Sequence, residues 1–188
     1  MNPNKPIPYK ASSSQIAFSC PWYSVRQDHI DLPNGSSATY NVVHIPHEAV
    51  FIVPILPSGE ILMLHHYRHT VEEWVWEIPA GGSKEGQTIL EAARMELAEE
   101  VGGTAEEFVY LGEFYTAVGF CDELCHVFLA KNVQIGETAR EPLEFMEVVK
   151  VQPEQAFEMA RNGQMKDGLS ALAMLRVENY FRQQQGGA

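Results

Sequence analysis

Three glutamates, Glu96, Glu99 and Glu100, lie close together in the sequence. On an α-helix, which turns 100° per residue, they fall within about 100° of arc on one face. A solvated acidic face is the more common outcome for such a cluster. However, carboxylates repel one another unless a cation lies between them, and they are ligands that Mg²⁺ and Mn²⁺ prefer. The glycine-rich turn at 79–82 can bring backbone carbonyl groups close to them, which favours a divalent-cation site.

Hydrophobic periodicity predicts the helix that positions these glutamates. Leu90, Ala93, Leu97 and Val101 recur at spacings of three and four residues, which is typical of the buried stripe of an amphipathic helix. The pair of glycines that follows Val101 is a helix stop signal. We therefore predict a helix over 88–101 with its acidic face turned away from the apolar stripe.

The remaining elements are predicted from alternation, apolar runs and turn signals. The predicted order is strands, a helix, more strands and then two helices, which indicates a mixed α/β or α+β sandwich. We expect a flexible lead-in at 1–14, a single domain at 15–183 and a frayed tail at 184–188. The predicted strands are 25–32, 40–44, 50–56, 61–66, 108–115, 124–130 and 146–151, and the closing helices are 153–161 and 169–182.

Composition limits the classes of partner. The chain has 188 residues, 45% of them hydrophobic, and its 13 basic against 25 acidic residues leave a formal net charge of −12. A field of that sign repels nucleic acids and anionic membranes, so an anionic small substrate would need a metal ion or a local arginine. The three cysteines are odd in number and lack C-x-x-C spacing, and we expect no signal peptide. These features predict a soluble, cytoplasmic protein.

The glutamate cluster resembles the box of the Nudix hydrolases, G-x5-E-x7-R-E-U-x-E-E-x-G-U, in which U is aliphatic. The first glycine of the box falls on Gly81 and its acidic cluster falls on Glu96, Glu99 and Glu100. Leu97 and Gly102 also match. Such a long spaced pattern is specific, and it extends the resemblance beyond the glutamates themselves.

Three positions depart from that box. Gln87 stands in place of its first glutamate, Met95 in place of its arginine and Gly103 in place of its last aliphatic residue. Gln87 carries no charge, and Met95 cannot make the ion pair by which the arginine balances the glutamates. Arg94 is a poor replacement because one residue turns it about 100° around the helix. We expect a working hydrolase that is slower or has an altered metal requirement.

The sequence around the box resembles that of the ADP-ribose pyrophosphatase branch of the family. The similar stretches are 65–81, 117–123 and 163–170, and the resemblance extends over roughly residues 15–182. It implies a Nudix α/β/α sandwich with an N-terminal antiparallel β region. It also implies that the strands at 15–45 pair two subunits in a homodimer.

The same resemblance implies the chemistry. The branch hydrolyses the pyrophosphate of ADP-ribose or of a related nucleoside diphosphate sugar, and it yields a nucleoside monophosphate and a sugar phosphate. Mg²⁺ or Mn²⁺ is the implied cofactor. Glu96 and Glu100 are its implied main ligands, with help from Glu99 and the carbonyl of Ala80. Glu123 is implied as general base or further ligand, although alone it fits an ordinary loop glutamate.

The implied substrate contacts have structural alternatives. Arg68 follows an apolar strand and fits either a substrate phosphate or a surface ion pair with Glu72 or Glu73. Trp22 and Tyr40, on the paired N-terminal strands, resemble the aromatic residues that stack on adenine across a dimer, and they fit core or interface packing equally well.

Further contacts and further activities follow from the resemblance. Glu77, Gly81 and Gly119 are implied to contact the substrate. Asn41 stands where an acidic residue contacts the base, which leaves the nucleobase open. Hydrolysis of another nucleoside diphosphate compound, such as a dinucleotide coenzyme or a dinucleoside polyphosphate, is the enzymatic alternative. A catalytically weakened nucleotide-binding module is the alternative from another class.

Overall fold

The computed structural model describes residues 9–138 and 145–186. Parts of two predicted segments, 1–8 of the lead-in and 187–188 of the tail, lie outside the described residues. The strands are β1 (Ala11–Ser19), β2 (Ser24–Asp31), β3 (Ser37–His44), β4 (Ala49–Pro54), β5 (Ile61–Arg68), β6 (Glu73–Glu77), β7 (Ala80–Gly82), β8 (Gly103–Thr104), β9 (Glu107–Tyr115), β10 (Leu124–Lys131), β11 (Gln134–Ile135) and β12 (Met146–Val151), and the helices are α1 (Ile89–Val101), α2 (Pro153–Arg161) and α3 (Gly168–Gly186).

Contacts within the described chain divide it into two compact units. The N-terminal unit contains residues up to Pro46 together with Tyr115–Glu123. The sandwich unit contains His47–Phe114 and the residues from Leu124 onward. The prediction of a single domain at 15–183 stays a prediction.

The N-terminal unit is built on an antiparallel sheet in the order β1-β2-β3. The predicted strands at 25–32 and 40–44 are confirmed as β2 and β3. The prediction of a flexible lead-in through residue 14 is wrong at its end, because β1 begins at Ala11. Ser14 pairs with Asp28 of β2, and its hydroxyl donates to the Asp28 carboxylate at 2.6 Å. Pairing with a neighbouring strand therefore orders a segment whose own sequence is polar and unpatterned.

In the sandwich unit, buried sheets lie between helices. The sheet orders are β7-β4-β10-β9 and β12-β5-β6, and β4 runs parallel to β10. On β4, Val50 and Ile52 pack into a core with α1, whereas Phe51 and Val53 pack into a core with α2 and α3. A strand buried on both faces reads as a continuous apolar run, as β4 does. This arrangement confirms the predicted α/β/α sandwich with an N-terminal antiparallel β region.

The ends of the helices follow from local signals. The Thr88 side chain accepts from the Glu91 N–H, and the Glu91 carboxylate accepts from the Thr88 N–H, which forms a capping box at the start of α1. Gly102 ends α1 with a left-handed φ of 64°. The third helix runs on to Gly186, so the predicted frayed tail is wrong at its start. None of the helices in the described residues is long and apolar enough to cross a membrane.

Candidate active site

Two of the three predicted glutamates are buried against the strand that precedes their helix. Glu96 and Glu100 lie one turn apart on α1, and they are only 8% and 4% exposed. Glu100 accepts a hydrogen bond of 2.9 Å from the Ala80 N–H. Burial of a carboxylate costs free energy unless a hydrogen bond, an opposite charge or a metal ion compensates. Their position is therefore not that of a solvated acidic face.

Gly81 of β7 lies close against the Glu96 side chain of α1. A Cβ atom added there would lie 2.5 Å from Glu96 Oε2 and closer still to the Cδ and Oε1 atoms. Gly81 is held in place by pairing with Val50 of β4. The missing side chain thus opens a space beside β7 that the Glu96 carboxylate enters. Gly81 is required at this point because any larger residue would displace that carboxylate.

The residues present fit a hard divalent cation. Throughout 9–138 and 145–186, no group of three or more His, Cys, Asp and Glu side chains is arranged to hold a metal ion. The carboxylate of Glu99 lies 4.0 Å from the Lys84 ammonium group. The candidate donors are thus Glu96, Glu100 and the nearby backbone of β7, all of them oxygen ligands. Mg²⁺ is characteristically held by one or two carboxylates, with waters and substrate phosphates as its other ligands.

Gln87 and Met95, two of the three residues that depart from the box, contact each other. The Gln87 amide nitrogen lies 3.6 Å from the Met95 sulfur, and a neutral contact thus occupies the place of the expected ion pair. Arg94 does not replace the missing arginine, because its guanidinium group stacks over the Phe108 ring at 5.3 Å. At the third departure, a Cβ atom on Gly103 would lie 2.9 Å from Leu97 Cγ. Close packing of α1 on β8 therefore explains that glycine.

Arg68 forms an ion pair with Glu77, in which the Glu77 carboxylate is buried and the Arg68 side chain is 46% exposed. Arg68 donates to the two carboxylate oxygens of Glu77 at 2.8 and 2.7 Å. Both partners predicted for an ion pair of Arg68 are therefore wrong: Glu73 instead pairs with Lys166, and the fork of Arg68 is taken by Glu77. Glu77 is only 5% exposed, and a buried carboxylate is costly without a positively charged partner. This explains why the Arg68 guanidinium group pairs with Glu77.

The charge state of Glu77 depends on this pair and on His66. His66 Nδ1 lies 3.4 Å from Glu77 Oε2, at ion-pair distance for a protonated ring. Burial raises the pKa of Glu77, but the adjacent His66 and the hydrogen bonds from Arg68 outweigh it and leave the pKa below its usual value. The pKa of Arg68 is raised, first by its hydrogen bonds to Glu77 and also by the charge of Glu100. Arg68 thus offsets negative charge at the Glu100 end of the cluster.

In the N-terminal unit, Glu123 closes the base of a loop. The Thr116 hydroxyl donates to Glu123 Oε2 at 2.5 Å, and the Thr116 N–H donates to the Glu123 carbonyl at 3.2 Å. At the tip of the loop, the Tyr40 hydroxyl donates to the Gly119 carbonyl at 2.5 Å. The loop therefore holds the Glu123 carboxylate in a set orientation and is tied to β3 through Tyr40.

Trp22 is the predicted site residue whose placement differs from the prediction. It lies in the bend between β1 and β2 and not on a strand, and it is 75% exposed. The hydrogen bond from the Cys20 N–H to the Tyr23 carbonyl closes this bend. Tyr40 lies on β3 as predicted, opposite Asp28. Its ring is partly exposed, so neither aromatic residue is packed in the core of its unit.

Sequence reasoning missed residues that act through others. His66 reads as one of several histidines near the end of a strand, and Thr116 reads as a loop residue. The alternation of β5 does place His66 on the face opposite to His65, where it meets Glu77, while His65 stacks on Trp76. For Thr116 there is no signal in the sequence, since its contact with Glu123 depends on the closure of the loop.

Comparisons with known proteins extend over most of the chain. The NUDIX domain family matches residues 45–171. The ADP-ribose pyrophosphatase of Bacillus subtilis (strain 168) is 33% identical over 172 residues, which cover 90% of this chain and 92% of that protein. The methanol dehydrogenase activator of Bacillus methanolicus is 29% identical over 167 residues, covering 88% and 90% respectively. A solved structure of an ADP compounds hydrolase has the same fold, with a TM-score of 0.83, 20% identity and coverage of 94% and 95%.

Proposed function

The chain belongs to the NUDIX domain family and is a Nudix pyrophosphohydrolase, and from this premise we propose that its substrate is ADP-ribose or a related nucleoside diphosphate sugar. The products would be a nucleoside monophosphate and a sugar phosphate. The observation that carries the proposal is the burial of Glu96 and Glu100 against β7, with Gly81 open toward the Glu96 carboxylate. The relative named ADP-ribose pyrophosphatase supports the choice of substrate.

The reaction is assigned to a divalent cation and to the carboxylates that would hold it. Glu96 and Glu100 are the proposed ligands, with Glu99 and the Ala80 carbonyl as further candidates. When bound, Mg²⁺ or Mn²⁺ would neutralise phosphate oxygens and lower the pKa of the attacking water. The hydrogen bond from the Ala80 N–H fixes one Glu100 oxygen at 2.9 Å, which orients the carboxylate before any ligand arrives.

The proposed reaction is attack by water on one phosphorus of the diphosphate. A bond forms from the water oxygen to phosphorus, the bond from phosphorus to the bridging oxygen breaks, and the water proton needs an acceptor. We assign that role, or the role of a further cation ligand, to Glu123. Its carboxylate is oriented by the Thr116 hydroxyl, which donates to one oxygen and leaves the second as the acceptor.

The grip on the nucleotide is assigned to aromatic and backbone groups. Trp22 presents an exposed ring that can stack on a nucleobase, and Tyr40 is the proposed second ring, supplied by the other subunit of a homodimer. The exposed β1 strand carries Ile16 and Phe18 at 59% and 51% exposure, which favours its burial in such a dimer. Because Arg68 binds both carboxylate oxygens of Glu77, we propose that Arg68 orients the Glu77 side chain. Glu77, Gly81 and Gly119 are the remaining proposed substrate contacts.

The contact between Gln87 and Met95 favours a second candidate function, that of a weakened nucleotide-binding module. A neutral contact in place of an ion pair constrains the neighbouring glutamates less, which is the change expected in a weakened nucleotide-binding module. Turnover separates the two candidates, because a binding module would hold a nucleotide sugar without releasing its monophosphate. If the substrate is another nucleoside diphosphate compound, turnover would be seen with that compound and not with ADP-ribose.

The test is a substrate panel with and without divalent cations. The protein is incubated with ADP-ribose, GDP-mannose, UDP-glucose, NADH and diadenosine tetraphosphate, with Mg²⁺, with Mn²⁺ or with EDTA, and nucleoside monophosphate release is measured. We expect release from ADP-ribose that EDTA abolishes. Release from a dinucleotide alone would replace the proposed substrate, and binding of ADP-ribose without release from any compound would favour the binding module.

A further inference from the structure

We propose that Lys84 binds a phosphate group of the diphosphate substrate, which makes the loop between β7 and α1 part of the substrate site. The inference rests on the proposed function, because it concerns the same carboxylate cluster. Lys84 Nζ lies 4.0 Å from Glu99 Oε1 and 3.7 Å from the Met95 sulfur. The ammonium group therefore lies beside Glu99, a further candidate cation ligand on the helix that also carries Glu96 and Glu100, and the phosphates of a bound substrate would share that cation.

The backbone around Lys84 is held by a closed turn. The Lys84 N–H donates to the Gln87 side-chain oxygen at 2.9 Å, and the Gln87 N–H donates to the Lys84 carbonyl at 3.0 Å. Gly86 supplies the positive φ of 78° that the turn needs, and the capping residue Thr88 follows directly. The turn therefore fixes the starting point of the lysine side chain and reduces the entropy lost on binding an anion.

The contacts that Lys84 makes leave room for a stronger acceptor. A thioether sulfur is a weak acceptor, and an ion pair at 4.0 Å between partly exposed groups contributes little. Two other cationic side chains already have partners: Arg68 donates to both carboxylate oxygens of Glu77, and the Arg94 guanidinium group lies over the Phe108 ring. The Lys84 side chain is 66% exposed, so an incoming phosphate can reach it.

Two of the residues that depart from the family pattern, Gln87 and Met95, contact Lys84. Met95 and Gln87 are neutral, and the Met95 sulfur contacts both the lysine ammonium group and the Gln87 amide. An arginine at position 95 would bring a second positive charge close to that ammonium group and repel it. A chain with a net charge of −12 repels an anionic substrate, so a local cation at the site also favours its entry.

The test compares Lys84→Met and Lys84→Arg with Lys150→Met, which removes the same charge from an exposed position of β12. KM and kcat for ADP-ribose are measured, and the affinity for inorganic pyrophosphate is measured by calorimetry, both at a fixed Mg²⁺ concentration. We expect Lys84→Met to raise KM and to weaken pyrophosphate binding by about fivefold, with kcat within about twofold of wild type. Lys150→Met should behave as wild type, and Lys84→Arg, which keeps the positive charge, should raise KM and weaken pyrophosphate binding less than Lys84→Met does.

The two readouts separate this inference from the proposed function. Unchanged KM and pyrophosphate affinity in Lys84→Met would overturn the role of Lys84, as would equal effects of Lys84→Met and Lys150→Met. A wild-type protein that releases no AMP would refute the proposed substrate, and the calorimetry would still decide on Lys84. Failure of the wild type to bind pyrophosphate would overturn the inference as well.

Discussion

Substitution of Gly81 by alanine tests whether the space beside β7 serves the Glu96 carboxylate. The new Cβ atom would lie at most 2.5 Å from the three carboxyl atoms, whereas ordinary contacts are about 3.5 Å. Because Gly81 is paired with Val50, the strand resists movement and the carboxylate must shift by about 1 Å. A misplacement of that size costs about 100-fold in rate, or about 2.7 kcal/mol of transition-state stabilisation. We therefore expect kcat/KM for ADP-ribose to fall about 100-fold.

The adjacent glycine provides the matched control. A Cβ atom on Gly82 would meet nothing within 4 Å, and neither glycine has a left-handed φ. Gly82→Ala should therefore keep full activity and unfold at an equal or slightly higher temperature, since alanine reduces the entropy of the unfolded chain. The assay is AMP release across a range of Mg²⁺ concentrations, together with thermal unfolding of both variants.

The Gly81→Ala variant can be probed further through the length of the acid. Adding Glu96→Asp withdraws the carboxylate by one methylene, which relieves the contact and should restore thermal stability but not activity, because the carboxylate is again displaced by about 1 Å or more. Equal activity of Gly81→Ala and Gly82→Ala would contradict this prediction, because the Glu96 carboxylate would then have no required position beside β7. Loss of folding in Gly81→Ala alone would point to strand packing as the role of this glycine.

The other predictions concern partners of site residues. Arg68→Ala should lower the free energy of unfolding by about 2 kcal/mol at pH 7, because it leaves Glu77 buried with one partner fewer. The pKa of Glu77 is lowered in the folded protein, so its ionisation stabilises the fold above the unfolded-state pKa, and this stabilisation is lost as pH falls through the folded-state pKa. Urea unfolding at pH 7 and pH 3.5 should therefore show a smaller difference in stability between wild type and Arg68→Ala at pH 3.5. Thr116→Val removes the hydroxyl group that orients Glu123 and should lower kcat about tenfold in steady-state assays, with unchanged kcat as the contrary result. Trp22→Ala should raise KM more than it lowers kcat, and an unchanged KM would end the stacking proposal.

The central helix could be predicted because its signals are local. The apolar stripe and the stop at Gly102 lie within or next to α1, and the predicted and observed bounds agree closely. The glycine-rich turn at 79–82 is also predicted to lie close to the glutamates, and the observed neighbours are Gly81 beside Glu96 and the Ala80 N–H at Glu100. Local signals therefore account for most of what was predicted about the carboxylates.

The parts that could not be predicted depend on pairing between distant segments. The β1 strand is exposed along its length and begins with a run of small and polar residues, so its order comes from pairing with β2 and not from its own sequence. The same pairing turns the chain at Trp22 and removes that residue from a strand. Arg68 is paired with Glu73 across β5 and β6, yet its guanidinium group binds Glu77, which is paired with Leu64; neither the residue spacing nor the strand pairing alone indicates this contact.

The most direct test of the central claim is the rate of AMP release from ADP-ribose as Mg²⁺ is varied, in wild type and in Glu96→Gln. Glu91→Gln is the matched control, because it changes the same residue type on the same helix and a glutamine can keep the capping contact with Thr88. We expect Mg²⁺-dependent release by wild type and Glu91→Gln, and a loss of about 100-fold or more in Glu96→Gln at every Mg²⁺ concentration. Wild-type rates in Glu96→Gln, or release that persists in EDTA, would contradict the central claim.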